Sequence, residues 1–215
     1  MIRKVSKSPV AGARDVLLDT AERLFADRGA KAVSLREINV EAGYSEAAIH
    51  HYFRNREGLM KALLARCQPA IFQRRAEMLA RLSLTKRPTL HQLVEALVRP
   101  LAAPLLRDPE SGALTVRLLA RLHFERDPAL ITAIQEGDDL FLPQLKKLLP
   151  EMPERVLKQR WQLTALLAHQ ALANISHQHL IATGGKQALL NIETFLEVLI
   201  DYLASGTTGT IDVPR

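Results

Sequence analysis

Residues 34–56 read SLREINVEAGYSEAAIHHYFRNR, and this stretch decides the fold. Ser34 is a good helix N-cap, and Glu37 stands three residues on, where a capping box places it. Leu35 and Ile38 are apolar at i, i+3. Ala42 and Gly43 break the pattern, and glycine accepts the positive φ that a helix end often requires. Ser45 is a second N-cap, opening a helix through Glu46, Ala47, Ala48, Ile49, His50, His51 and Tyr52. Asn55 caps a third. A short helix, a glycine-containing turn and a second short helix follow the helix-turn-helix plan, whose second helix can lie in the DNA major groove. The stretch therefore points first to duplex DNA binding.

Outward from this centre the pattern is helix after helix. Residues 10–28 form the first, with Val16, Leu17, Thr20, Leu24 and Phe25 on one face. Residues 56–83 form a long helix, bent near Pro69, with Leu59, Leu63, Cys67, Ala70 and Ile71 inward. Thr89 caps a helix that Pro100 or Pro104 should kink or end. Asp108-Pro109 opens the next, to Glu125, and Asp127-Pro128 opens another to Leu149, with Gly137 and Pro143 as interruptions. Pro153 starts a long helix to about Ile181, and Lys186 to Ala204 is the last. The expectation is an all-α protein: a helix-turn-helix domain over 10–55, a helical bundle over 56–204 and a flexible tail over 205–215.

Composition fits that plan. The chain has 215 residues, 47% hydrophobic, enough for a sizeable core. No apolar run reaches the length of a membrane span, and MIRKVSKSPVAGAR at the start lacks the apolar stretch of a secretory signal. A single cysteine, Cys67, fits a reducing compartment, so the expected location is the cytoplasm, with no membrane partner. Of the net +6, residues 1–87 hold 17 Lys and Arg against 9 Asp and Glu, whereas residues 88–215 hold 12 against 14. Basic surface near the helix-turn-helix suits phosphate binding, though an ordinary solvated basic face accounts for it equally.

The segment Arg14 to Leu64 resembles the N-terminal domain of the TetR family of transcriptional repressors. The resemblance is carried by LLDTAERLFADRG (17–29), SLREI (34–38), AGYS (42–45), HYF (51–53) and NREGL (55–59), in the family's order and spacing. The rest is similar only in length and helical character, as for the family's divergent ligand-binding domain. With Ile49, Tyr52 and Phe53 facing the core, Glu46, Ala47, Ala48 and His50 face the groove. Arg36 matches a family position that can reach base edges. Arginine can grip guanine O6 and N7, and alanine can pack on a thymine methyl. Ser34, Tyr44, Ser45, His51, Tyr52 and Arg56 are placed for phosphates, with capping alone an equal reading of Ser34 and Ser45. The chain departs from the family pattern at Ala47, at His50 where tyrosine is usual, and at Asn39 where alanine is usual. A buried Asn39 must find hydrogen-bond partners.

The last helices are unusually apolar. Leu189, Ile192, Leu196, Leu199 and Leu203 follow 3,4 spacing, flanked by Phe195 and Tyr202, a stripe broader than one partner helix needs. With Leu166, Ala171 and Ile175 on the preceding helix, they are the expected interface of a two-fold homodimer, as the resemblance also implies. In the family a small effector enters the bundle. Phe72, Gln73, His123, Phe124, Trp161, Thr164 and His169 are candidates to contact it, and an apolar or aromatic effector suits the aliphatic interior. Hydrogen-bonded core histidines are the competing reading of His123 and His169. No catalytic or cofactor motif occurs. His50-His51 and the pair His177 and His179 have the wrong spacing for helical metal ligation, and Cys67 reads as a packed small hydrophobe. The expected function is a homodimeric repressor binding an operator in double-stranded DNA and released by a small molecule, without enzymatic activity, cofactor or metal. An all-helical enzyme and an architectural DNA binder without sequence preference are the rivals.

Overall fold

The computed structural model describes residues 12–175 and 191–208. Among them are nine helices and no strand: α1 Ala13–Arg28, α2 Leu35–Glu41, α3 Ala47–Phe53, α4 Arg56–Ser83, α5 Leu90–Arg107, α6 Pro109–Glu125, α7 Pro128–Leu148, α8 Glu154–Ala173 and α9 Ile192–Thr208. Helices α1–α3 form a small head around Leu17, Leu18, Phe25, Ile38, Ile49 and Phe53. Helix α4 runs from the head into the body, contributing Leu59 and Leu63 at one end and Leu79 and Leu82 at the other. In the body, α5 is the central rod, packed by α4, α6 and α9, with α7 and α8 completing the bundle.

The boundaries follow local chemistry. Asn55 Oδ1 accepts the Gly58 N–H and starts α4, Thr89 with Gln92 makes a capping box for α5, and Asp108 caps α6. Leu122 to Asp127 form a tight reversal in which Arg126 takes a left-handed conformation at φ +54.

Several expected boundaries are corrected. Neither Pro100 nor Pro104 ends α5, which continues to Arg107. A proline removes one local amide donor, and burial of Val98, Leu101, Ala102 and Leu105 holds the helix on through the gap. Likewise Pro143 does not interrupt α7, and Pro69 lies within α4. Ala70 is exposed rather than inward. Helix α8 ends at Ala173, short of the expected Ile181, and α9 starts at Ile192, where Asn191 Oδ1 accepts the Thr194 N–H. Helix α9 passes the expected end at Ala204 and reaches Thr208, because Thr207 is buried and its hydroxyl joins Thr164 at 2.9 Å. The start of the first helix at residue 10, Leu189, His177, His179 and most of the tail lie outside the described residues.

The residues of the expected subunit seam divide. Leu196, Leu199 and Ile175 are buried within the subunit, and Ile192, Phe195, Leu166 and Ala171 are half-buried. Leu196, Leu199 and Leu203 of the α9 stripe lie in the core of one chain, where α9 packs on α5 and α8. The apolar side chains left outward are Leu163 and Leu167 on α8 and Val198 and Tyr202 on α9.

Gly112 sets the closeness of α5 and α6. A Cβ there would lie 2.3 Å from both the carbonyl carbon and oxygen of Pro104. Since backbone cannot yield as a flexible side chain does, Gly112→Ala should force the helices apart. The expected loss is about 1–3 kcal/mol, as for other overpacked sites, read as a lower urea midpoint with an unchanged slope.

Candidate nucleic-acid interface

The head is assembled from reciprocal caps. Ser34 Oγ accepts the Glu37 N–H at 3.1 Å, while Ser34 N–H donates to Glu37 Oε2 at 2.7 Å. Arg28 pairs with the same carboxylate at 2.9 Å. The Ser34 amide, then Arg28, hold the Glu37 carboxyl down to about 2. Because that value is depressed, the cap's contribution is complete above the ordinary value of 4.5 and is lost as pH falls towards about 2. Gly43 makes the turn at φ +74, the conformation anticipated from its sequence position.

Asn39 is the residue whose role the sequence raised but did not resolve. It is 1% exposed. Its Nδ2–H donates to Glu46 O at 3.0 Å, and its Oδ1 accepts the Ile49 N–H at 3.3 Å. Tyr44 N–H donates to the main-chain oxygen of Asn39 at 2.8 Å. One α2 residue thus holds the turn and the first turn of α3, supplying an acceptor to an amide that a helix start leaves unsatisfied.

Above this scaffold lies an exposed face formed by Ser34, Arg36, Tyr44, Ser45, Glu46, Ala47, His50, His51 and Tyr52. Arg36 Nε meets Glu46 Oε1 at 2.7 Å across the α2–α3 gap. His50 Nδ1 bonds Arg54 O at 2.8 Å. The Tyr52 ring stands edge-on to His51 at 4.8 Å and is exposed rather than inward. Three further expected roles change. Ala48 is buried and does not face the groove. The Ser45 side chain caps nothing: α3 begins at Ala47, and the carbonyl of Ser45 accepts the Ala48 N–H. Arg56 points inward, its two Nη groups donating to Ala30 O and Val33 O and its guanidinium lying 5.6 Å from the Phe25 ring centroid. Its charge serves the α1–α2 loop rather than a phosphate.

The head is tied to the body mainly through α6. Arg117 pairs with Asp27 at 3.1 Å, Arg121 Nη2–H donates to Asp27 O at 3.0 Å, and Glu125 Oε2 accepts the Lys31 N–H at 3.2 Å. On α1, Glu22 accepts the Thr115 hydroxyl at 2.6 Å and Asp19 pairs with Arg66 of α4 at 2.7 Å.

The expected effector residues divide. Phe124 is 74% exposed and Gln73 bonds Glu77 on the surface, so neither faces an interior, and Phe72 is half-buried. Thr164 is spent on Thr207. Trp161 and His169 are buried in the body, and His123 is half-buried. The two histidine rings meet edge-on at 5.1 Å, and Trp161 packs on Phe141 at 4.9 Å, beside Arg75. Burial pushes His169 down to about 3, so it is neutral and its Nδ1–H donates to Ala165 O at 2.8 Å; burial also lowers His123. Among the described residues, His123 Nδ1 and Trp161 Nε1 are buried without a hydrogen-bond partner. Two surface cavities lie elsewhere. One, about 630 Å³, sits between α1, α4, α5 and α6; the other, about 970 Å³, lies beside the first half of α4. Cys67 lines the first, and burial pushes its thiol up to about 11, which keeps it protonated. Among the described residues no group of three or more His, Cys, Asp or Glu could hold a metal, and no helix is long and apolar enough to cross a membrane.

A three-helix head whose α2 and α3 are clamped beneath an exposed polar face, set on a helical body, defines a helix-turn-helix DNA-binding protein. Comparison with known proteins gives its family. The model for bacterial regulatory proteins of the TetR family matches residues 17–63, and that for the tetracyclin repressor-like C-terminal domain matches residues 95–206. The chain belongs to the TetR family, a group of DNA-binding transcriptional regulators and not enzymes. The repressor KstR2 of Rhodococcus jostii is 34% identical over 84 residues, 39% of this chain and 41% of that protein. The regulator BetI of Rhizobium meliloti is 43% identical over 61 residues, 28% of this chain and 29% of that protein. These matches span less than half of each relative. The fold is shared more widely. The probable regulatory protein RHA5900 superposes with TM-score 0.59 at 19% identity, over 92% of this chain and all of that one. NalD of Pseudomonas aeruginosa, named as the secondary repressor of a multidrug efflux pump, superposes with TM-score 0.56 at 20% identity, over 90% and 94% of the two chains.

The Asn39 clamp yields a direct test. Asn39→Ala leaves the Ile49 amide without its acceptor, at an expected cost of about 1–2 kcal/mol. Asn39→Asp keeps an acceptor for the Ile49 N–H, but it loses the donor to Glu46 O, as Asn39→Ala does, and sets a buried carboxylate against that carbonyl, so its loss should exceed that of Asn39→Ala at neutral pH. Burial would raise the folded pKa of that carboxyl, so the deficit should shrink as pH falls. Thermal unfolding at pH 7 and pH 5 measures both.

Proposed function

We propose that this regulator is a repressor that binds a pseudo-palindromic operator as a homodimer and leaves it when a small apolar or aromatic effector binds the body. The observation that carries the reading is the exposed α2–α3 face held on a buried clamp. Arg36, Glu46, Ala47 and His50 are its base-reading candidates, with Ser34, Tyr44, Ser45, His51 and Tyr52 towards phosphates. Ala48 and Arg56 drop out because both are committed to the head's interior. Such a protein works in the cytoplasm.

The homodimer rests on the outward apolar side chains of the last two described helices. Val198 and Tyr202, 65% and 68% exposed, stand one turn apart on α9, and Leu163 and Leu167 are similarly spaced on α8. Pairing this face about a two-fold axis covers it and brings two heads to two half-sites. Val198→Glu should leave the subunit folded but monomeric, since the side chain lies outside its core, and should weaken duplex binding. Leu196→Glu should unfold the chain, because it buries a lone carboxylate. Sedimentation of the parent should give twice the 24.0 kDa chain mass. A monomeric parent would refute the dimer and the paired half-sites with it. Equal affinity for every duplex would instead favour the architectural reading.

The effector reading is supported by His123 and Trp161, each with a buried ring nitrogen that lacks a hydrogen-bond partner among the described residues, and by the buried His169 against His123. An apolar ligand carrying one hydrogen-bond acceptor suits the Trp161 indole N–H, and two neutral histidines suit an uncharged one. Trp161 is the single tryptophan, so its fluorescence reports on that region alone. Uncharged aromatic probes that release DNA should shift Trp161 emission over the same concentration range. Release with unchanged emission would move the effector elsewhere.

A further inference from the structure

We infer that Arg36 and Glu46 act together as a preformed reader of one G·C base pair in each half-site, with Glu46 as the positioning residue. This rests on the regulator reading above and adds to it the base that is read and the means of reading it. Arg36 Nε is held by Glu46 Oε1 at 2.7 Å, and the two side chains are 77% and 69% exposed. Among the described residues no other contact occupies Arg36, so both Nη groups remain available for an end-on grip. The support beneath is fixed on both sides. Arg36 lies within the Ser34–Glu37 capping box, and the Glu46 carbonyl is held by Asn39.

The chemistry of the groove selects the base pair. In the major groove guanine presents the N7 and O6 acceptors, and its cytosine presents the N4 amine. The side-chain pair presents the complement: guanidinium donors beside a carboxylate. An adenine amine could also meet a carboxylate, but adenine N7 alone does not satisfy a guanidinium fork. A phosphate role fits poorly, since a carboxylate beside the arginine would be repelled by the anionic backbone. Glu46 therefore costs general DNA affinity and supplies direction. It restrains a long, rotamer-rich side chain before binding, so less freedom is lost on contact.

The test is selection from a random duplex pool by the full-length chain, followed by sequencing, for the parent, Glu46→Ala, Glu46→Gln and Arg36→Lys. The parent should enrich a G·C pair at one position repeated symmetrically in both half-sites. Glu46→Ala and Arg36→Lys should each relax that preference by about ten-fold, within the range a bidentate contact discriminates, with the other positions unchanged. Glu46→Gln keeps a neutral acceptor for Nε and should fall between. Glu46→Ala should also bind unselected duplex more tightly than the parent, a gain that mere loss of structure would not give. The Glu46 side chain caps nothing, so helical content should be unchanged. A Glu46→Ala consensus identical to the parent's at every position overturns the paired reader and leaves the regulator standing. A parent that enriches no sequence overturns the regulator itself, and this inference falls with it.

Discussion

The rest of the structure depends on where Arg56 puts its charge. A guanidinium at the first residue of α4 reaches back to two carbonyl oxygens of the α1–α2 loop and lies over Phe25. Loop carbonyls enclosed by a small three-helix core have few donors within reach, and leaving them unmet would be costly. By meeting them from α4, the chain joins its head to the one helix that also runs through the body. The α6 contacts with Asp27 and Lys31 hold the end of α1 and the same loop. The head is thus held at two points by elements of the body, so a shift of α4 relative to α6 cannot leave its orientation unchanged.

Much of this was legible in the sequence because it is local. The Ser34–Glu37 box, the Gly43 turn, the Asn55 cap and the Asp108-Pro109 start are each fixed by residues within four positions of one another, and each forms as read. What misled were features decided by distant packing. Proline at 100 and 104 reads as a helix end, yet α5 lies at the centre of the bundle and its buried leucines outweigh two missing amides. The apolar stripe of α9 reads as an interface, but periodicity records only that a face is covered, not whether the same chain or another covers it. Leu196 and Leu199 belong to the core, while Val198 and Tyr202, one position away from the stripe, remain outside.

Within the head the same division holds. The exposed set Arg36, Glu46, Ala47 and His50 was readable from helical spacing and the family pattern. Arg56 was not, because an arginine at a helix start serves phosphates and carbonyls equally well, and only the position of the α1–α2 loop decides between them. Asn39 could be marked as needing partners, but its two partners belong to the next helix and depend on the turn geometry.

The Asn39 clamp carries a consequence for how such a head can change. Both of its bonds go to main-chain groups, the carbonyl of Glu46 and the amide of Ile49. It therefore fixes the start of α3 without asking anything of the side chains displayed there. Glu46, Ala47 and His50 stand outside the core, so their identities are only weakly constrained by folding. Fold and outward face are separable: the exposed residues can be exchanged while the platform beneath them keeps its shape.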